Sequence, residues 1–140
     1  MITANELRIG NCIRFHNHVE AEKIVTVNAR FFSSLAGGRS LEEMKPDEEL
    51  SNYYSPIELT PEILVKCGFK INKYACYLHF CKSAYIHYSI KNKVLGMAIS
   101  NHNESLDTDE ELSIDLNIIY LHQLQNLCYS LTGSELEVVW

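Results

Sequence analysis

Three side chains in the middle of the chain have the chemistry of metal ligands: His79, Cys81 and His87. The strand-like segments around them predict a β-hairpin in which His79 lies directly opposite His87, with Cys81 on the same face. Thiolate and imidazole groups suit zinc. The segment has no CxxC spacing and offers no fourth ligand. Two hypotheses follow: a metal or small-molecule site on this face, or an aromatic, His-rich face packed under a loop or a partner.

A second candidate site lies near the C-terminus, where no Asp, Glu, Lys or Arg occurs from Leu116 to Ser134. The leucine spacing of this segment predicts a helix. Uncharged polar side chains at helical spacing form what we call the polar ridge: His122, Gln125, Asn126 and Tyr129. Such groups suit hydrogen bonding where a bare charge would be costly. The polar ridge is predicted to bind a partner; the alternative is a helix clamped between sheet and loops, with the ridge bonded to backbone.

No recognised catalytic motif is present in the sequence. It contains no GxSxG elbow and no HExxH pair, and Gly37-Gly38-Arg39-Ser40 lacks the spacing and lysine of a phosphate-binding loop. We therefore predict no catalytic residue and no cofactor. The sequence leaves enzymatic activity open and favours a protein that is not an enzyme.

The composition narrows the class of protein. The 140 residues carry a formal net charge of −6, which places nucleic-acid binding third among the functions because phosphates require clustered Lys and Arg. The five cysteines are odd in number and scattered, and the first residues do not resemble a signal peptide. No stretch is apolar enough for a membrane span. A cytoplasmic location with reduced thiols, and no membrane partner, is expected.

Two strands, a loop and a helix are predicted in the first half. Residues 7–15 and 19–27 are predicted to be two strands that form a hairpin, and the first strand has a tight bend at Gly10-Asn11. The polar residues 33–52 are predicted to form a long loop with a helical turn at 41–44. In residues 56–69, Thr60 suits a helix N-cap, Pro61 its first position and Gly68 the left-handed residue after its end.

The second half predicts a strand meander over 70–101, with Phe80 opposite Ile86 across a three-residue loop at 82–84. An acidic loop at 102–111, a short strand at 112–116, the charge-free helix ended by Gly133, and a final strand at 135–140 follow. Together these elements predict a single α+β domain over 1–140. It has a mainly antiparallel sheet, with a small barrel-like N-terminal part as an option, one short helix and one longer C-terminal helix.

Three segments resemble a family of small uncharacterised proteins found in gut bacteria and in their phages and mobile elements. These are ELRIGN at Glu6–Asn11, PIELTPEILVKCGF at Pro56–Phe69 and LHQLQNLCYSLTGSEL at Leu121–Leu136. The family pattern reads roughly "ELRIGN", "PIPLTEEWLLKFGF" and "HQLQNLYFALTGEEL". This chain departs from it with Ile63 in place of Trp and Cys67 in place of Phe. The family has no established activity, so the resemblance implies a genomic context rather than a chemistry.

The leading functional hypothesis is a non-enzymatic accessory or binding protein, phage- or mobile-element-derived, that acts through protein–protein contacts or self-association. The alternative is a metal- or small-molecule-binding protein that uses the face carrying His79, Cys81 and His87.

Overall fold

The computed structural model describes residues 2–16, 22–36, 50, 52–103 and 108–140. It contains two antiparallel sheets and confirms the predicted α+β class. The chain divides into two compact units, Met1–Glu58 with Tyr120–Glu135 and Leu59–Ile119 with Leu136–Trp140. A single domain over the whole chain stays a prediction, and each unit is described by itself.

The first unit contains a three-stranded sheet in the order β2-β1-β3. Its strands are β1 (Cys12–Phe15), β2 (Lys23–Thr26) and β3 (Tyr54–Ser55). The predicted antiparallel pairing is confirmed, with Cys12 opposite Thr26, but the first strand begins at Cys12 and not at residue 7. The barrel-like option is wrong for the described residues, because β2 and β3 form the two open edges of this sheet and do not pair with each other.

Helix α1 (Ala29–Ala36) was not expected, since residues 33–36 were assigned to the long loop. The Asn28 side chain accepts a hydrogen bond from the Phe31 amide at 3.0 Å, in the manner of an N-cap. Phe31 packs in a buried cluster with Ile13 and Leu50. This tertiary burial stabilises the helix although its two serines have a low helix propensity. The predicted turn at 41–44 lies outside the described residues.

The predicted C-terminal helix is confirmed as Leu121–Thr132, which is α3 in our numbering. Gly133 ends it in the left-handed conformation, with φ of 70°, and its N–H donates to the Tyr129 carbonyl. Leu121, Leu124 and Cys128 are buried, whereas Leu131 at the end of the helix is exposed. The leucine spacing predicts one apolar side along the whole helix, but the buried part of that side ends at Cys128.

The second unit opens with the predicted short helix, α2 (Pro61–Lys66). The Thr60 hydroxyl accepts a hydrogen bond from the Ile63 amide at 3.3 Å, and Gly68 follows the helix with φ of 85°. Leu64 and Cys67 are buried, and Ile63 is half-buried. The local signals of cap, first-turn proline and terminal glycine were therefore read correctly.

A five-stranded antiparallel meander follows α2, with the strands in sequence order. They are β4 (Lys70–Ile71), β5 (Ala75–His79), β6 (Ala84–Ser89), β7 (Val94–Asn103) and β8 (Thr108–Leu116). The acidic loop predicted at 102–111 is wrong at both ends, because β7 and β8 extend into it and pair. The predicted strand at 135–140 is also wrong: this segment is irregular, and its Val139 N–H donates to the Lys66 carbonyl of α2 rather than to a strand.

The register of the β5–β6 hairpin differs from the predicted one by two residues. Leu78, not Phe80, lies opposite Ile86, and Phe80 donates a backbone hydrogen bond to Ala84 across a longer connection. A shift of two leaves every side chain on its predicted face. The observed register places Tyr88 opposite the buried Cys76, where the Tyr88 hydroxyl donates to the Leu59 carbonyl at 3.4 Å. Core packing therefore set a register that loop length alone could not.

Two glycines in left-handed conformations, Gly10 in the first unit and Gly68 in the second, together test the close approach of Glu135 to Gly10. Gly10 and Gly68 have φ of 97° and 85°, but a Cβ at Gly10 would lie 2.9 Å from a Glu135 carboxylate oxygen, whereas one at Gly68 would meet nothing within 4 Å. We expect Gly68→Ala to lower the free energy of unfolding by about 1 kcal/mol and Gly10→Ala by about 2 kcal/mol. Urea denaturation measures both; equal losses would contradict the close approach of Glu135.

Candidate functional site

The polar ridge is largely turned into the protein. His122 and Gln125 are each 1 % exposed, Asn126 is half-buried, and Tyr129 is exposed. The four side chains share one side of α3, as their spacing predicts. The environment of His122 and Gln125 is nevertheless that of an interior, where each polar atom needs a partner.

Gln125 bonds to the backbone where the first strand begins. Its side-chain oxygen accepts from the Cys12 amide at 2.8 Å, and its nitrogen donates to the Gly10 carbonyl at 3.3 Å. One buried amide thus serves one donor and one acceptor at the bend before β1. This is the alternative that the sequence left open, a polar ridge bonded to backbone.

Asn126 joins three parts of the N-terminal segment. Its side-chain oxygen accepts from Arg8 Nε and from Asn11 Nδ2, both at 3.0 Å, while its nitrogen donates to the Glu6 carbonyl at 2.8 Å. The amide therefore uses both of its polar ends on residues of the ELRIGN segment.

Arg8 completes this network and was missed by the sequence analysis. Its guanidinium makes a two-pronged ion pair with the Glu135 carboxylate, donates to the Gln125 carbonyl at 3.1 Å, and lies 4.2 Å from the centre of the Tyr129 ring. Arginine suits this position because its rigid fork can bond several acceptors at once. The charged groups in this network are therefore Arg8 and Glu135, which lie outside the helix.

The polar ridge as a partner surface stays a prediction, and its available area is small. Gln125 and Asn126 are bonded internally, and Arg8 lies over the ring of Tyr129. At position 125 the absence of charge has a structural cause, because a charged side chain there would be buried at high cost.

His122 is the exception within the ridge. Neither ring nitrogen has a hydrogen-bond partner among the described residues, although both atoms are buried. The imidazole stacks on the Tyr120 ring at 5.9 Å between centroids. Burial lowers the pKa of His122 from its usual 6.5, opposed by the attraction of Glu6, so the folded protein favours the neutral ring.

The second candidate site lies on the five-stranded sheet. Four rings from β5 and β6 share one face, which we call the Tyr/His face: Tyr77, His79, Tyr85 and His87. Neighbouring rings approach closely, with centroid distances of 5.8 Å, 5.1 Å and 6.0 Å along the row. The predicted opposition of His79 and His87 is wrong. In the observed register His79 lies opposite Tyr85, and His87 lies opposite Tyr77.

The ring of His87 crosses β7 to reach β8. Its Nε2 lies 3.1 Å from the Ser113 hydroxyl, and a Cβ on Gly96 of β7 would lie 2.6 Å from that nitrogen. Glycine at position 96 therefore leaves room for the ring in this position. An isolated glycine between Leu95 and Met97 in a strand pattern is a signal that could have revealed this site.

The metal hypothesis receives no assembled ligand set. Among the residues that the structure describes, no group of three or more His, Cys, Asp or Glu side chains could hold a metal ion. Cys81 lies in the exposed connection after β5, where hydrogen bonds from the Ser83 amide and hydroxyl lower the pKa of its thiol. His79, Cys81 and His87 share a region of the sheet but do not converge.

A Ser–His pair invites comparison with nucleophilic catalysis, since a histidine can activate a serine hydroxyl. The Ser113–His87 pair lies on a sheet face where the strand backbones bond to one another, and no described ion pair holds the imidazole to a carboxylate. Catalysis also requires donors for a developing oxyanion. The pair is better suited to positioning the imidazole than to acyl transfer.

Comparison with known proteins identifies no relative: no family model, curated protein or solved structure matches the chain. In the described ranges, no helix has both the length and the apolar character needed to cross a bilayer.

Removing the amide of Gln125 tests the internal role of the polar ridge. Gln125→Leu leaves the Cys12 amide without that acceptor and should lower the free energy of unfolding by about 2 kcal/mol or more. Ser130→Ala is the control on the same helix: its exposed hydroxyl bonds to the Asn126 carbonyl, and its loss should cost at most about 0.5 kcal/mol. Similar midpoints in urea for both variants would contradict the internal role.

The buried imidazole of His122 predicts a stability that depends on pH. Because its pKa is lower in the folded state, the unfolded chain binds the extra proton, so the His122 contribution is complete above about pH 6.5 and is lost on acidification below it. His122→Phe should reduce the fall in the urea midpoint between about pH 7.5 and about pH 5.5. Leu131→Ala, at an exposed side chain of the same helix that does not titrate, should leave that fall unchanged. A fall in His122→Phe as large as in the natural protein would refute this assignment.

Proposed function

We propose that the protein is a non-enzymatic binding protein that acts through protein–protein contact at the β8 edge of the five-stranded sheet. One observation carries this proposal: three large aliphatic side chains on neighbouring strands are exposed together. Ile99, Leu112 and Ile114, which we call the apolar edge, are 44 %, 67 % and 47 % exposed. Grouped exposed apolar side chains of this kind are typical of interaction sites.

The strand register makes the apolar edge continuous. Ile99 of β7 lies directly opposite Leu112 of β8, and Ile114 lies opposite Met97 on the same face. Helix α2 contacts β4 and β5, which lie towards the edge of the sheet that is farther from β8. Each aliphatic group covered by a partner would add roughly 25 cal/mol for every Å² removed from water.

The position of β8 supplies a second attractive element. It is the last strand of the sheet, so the backbone groups on its outer side can pair with an added strand. Addition of a partner strand at such an edge is an established mode of peptide recognition. Backbone hydrogen bonds would give affinity, and the alternating Leu112 and Ile114 would give specificity.

Charge distinguishes a foreign partner from a second copy of the chain. The sequence of β8, TDEELSIDL, contains acidic residues but no Lys or Arg. Two copies paired along this strand would bring like charges together, which is unfavourable. The partner that fits is therefore an extended segment with alternating apolar and basic residues.

The resemblance to proteins of gut bacteria and their phages and mobile elements supports the context of this proposal. A cytoplasmic accessory protein derived from such an element, without catalytic activity, is consistent with a site made of a strand edge. The alternative function, small-molecule binding, depends on the Tyr/His face, which lies on the other side of the same sheet.

Site-directed photo-crosslinking in cells of the native source tests the apolar edge. Benzoylphenylalanine in place of Leu112 should give a discrete adduct with another protein, and Ile114→Lys in the same chain should suppress it by about tenfold. The matched control is benzoylphenylalanine in place of Ile71, which is 53 % exposed on β4 at the opposite edge. Identical adducts from both positions, no adduct from position 112, or an adduct of twice the chain's mass would overturn the proposal.

A further inference from the structure

The Tyr/His face is concave and has the size of a ligand site. It borders a cleft of about 510 Å³, within the range of small-molecule sites. Gly96 and Ala98 of β7 lie opposite His87 and Tyr85 on the same face of the sheet, and the His87 ring lies across Gly96.

The charge of the cleft selects the class of ligand. Among the described residues that line it, none is Asp, Glu, Lys or Arg. The lining offers no formal charge to a phosphate, a carboxylate or a metal ion, while Lys70 of β4, opposite Tyr77, and Asp115 of β8, opposite Gly96, lie on the same face beside it. The hydrogen-bonding groups are instead neutral: the Tyr77 hydroxyl, the imidazoles, the Ser113 hydroxyl and the Asn72 amide, whose oxygen already accepts from the Tyr74 and Ala75 amides at 2.8 Å. A neutral ligand that carries many hydroxyl or amide groups matches this inventory.

The inclination of the rings separates two kinds of neutral ligand. Neighbouring rings lie at 86°, 38° and 55° to one another, so this row offers no pair of parallel faces between which a flat heterocycle could be sandwiched. A puckered sugar ring presents C–H groups in several directions. Those groups pack on aromatic faces because the negative face of the ring attracts polarised C–H bonds.

We propose that the Tyr/His face is a binding site for a neutral saccharide. The C–H faces of the sugar pack on Tyr85 and His79, and its hydroxyls exchange hydrogen bonds with Tyr77, Asn72 and Ser113. The ring of His87, positioned by Ser113 and admitted by Gly96, forms one wall. The cleft is open, so a disaccharide or the end of a longer glycan can enter it. This site lies on the face of the sheet opposite the apolar edge, and the two proposals stand or fall separately.

The test is a titration of the ¹⁵N-labelled full chain, followed by two-dimensional amide NMR. The ligands are maltose, cellobiose, lactose and N,N′-diacetylchitobiose, with adenosine as the flat heterocyclic comparison, each to about 20 mM. At least one saccharide should shift the amides of β5, β6 and Ser113, with a dissociation constant on the order of 1 mM. No shift with any saccharide, or shifts there with adenosine alone, would overturn the proposal.

Variants locate the binding surface. His79→Ala and Tyr85→Ala should each weaken saccharide binding by about tenfold. Tyr74→Ala removes an exposed ring that does not line the cleft and should leave binding unchanged. The amide spectrum of each variant reports whether it is folded, and the exposed His79 provides a variant that does not disturb the core. Unchanged affinity in folded His79→Ala and Tyr85→Ala would refute the assignment.

Discussion

A network of hydrogen bonds between residues 6–12 and helix α3 is the constraint on which the first unit depends. Gln125 and Asn126 bond to the backbone and side chains of that segment, and Arg8 bonds back to the helix and to Glu135. Buried amides are costly unless both of their ends are bonded. The bend at Gly10, the start of β1 and the face of α3 must therefore be correct together, which makes the arrangement specific.

This network joins two segments that are distant in sequence. Residues 6–12 supply one partner, and helix α3 with Glu135 supplies the other. Folding accounts for the polar side chains of Gln125 and Asn126, whereas the ring nitrogens of His122 have no hydrogen-bond partner among the described residues. Features of a sequence that look like a functional surface can thus be the inner side of a packed element. The sites proposed for binding lie instead on the five-stranded sheet.

On that sheet, the small residue Gly96 leaves room for the position of the His87 ring. Gly96 lets the His87 ring lie across β7 and reach Ser113, a contact between side chains that are far apart in sequence. The same face carries neutral hydrogen-bonding groups, while the opposite face exposes the apolar edge. A single sheet therefore offers two chemically different surfaces, because side chains alternate along each strand.

The sequence by itself determined those features that depend on neighbouring residues. The cap at Thr60, the helix ends at Gly68 and Gly133, the hairpins and the faces of the strands all follow from local geometry and periodicity. Helix α1, the length of β7 and β8, the β5–β6 register and the fate of residues 135–140 depended on tertiary packing. The same is true of the polar ridge: spacing placed its residues on one side of a helix, but only contacts across more than a hundred residues decided that this side faces inwards. Local propensity cannot report which distant group will satisfy a buried amide, and the free energy of that pairing decided the structure.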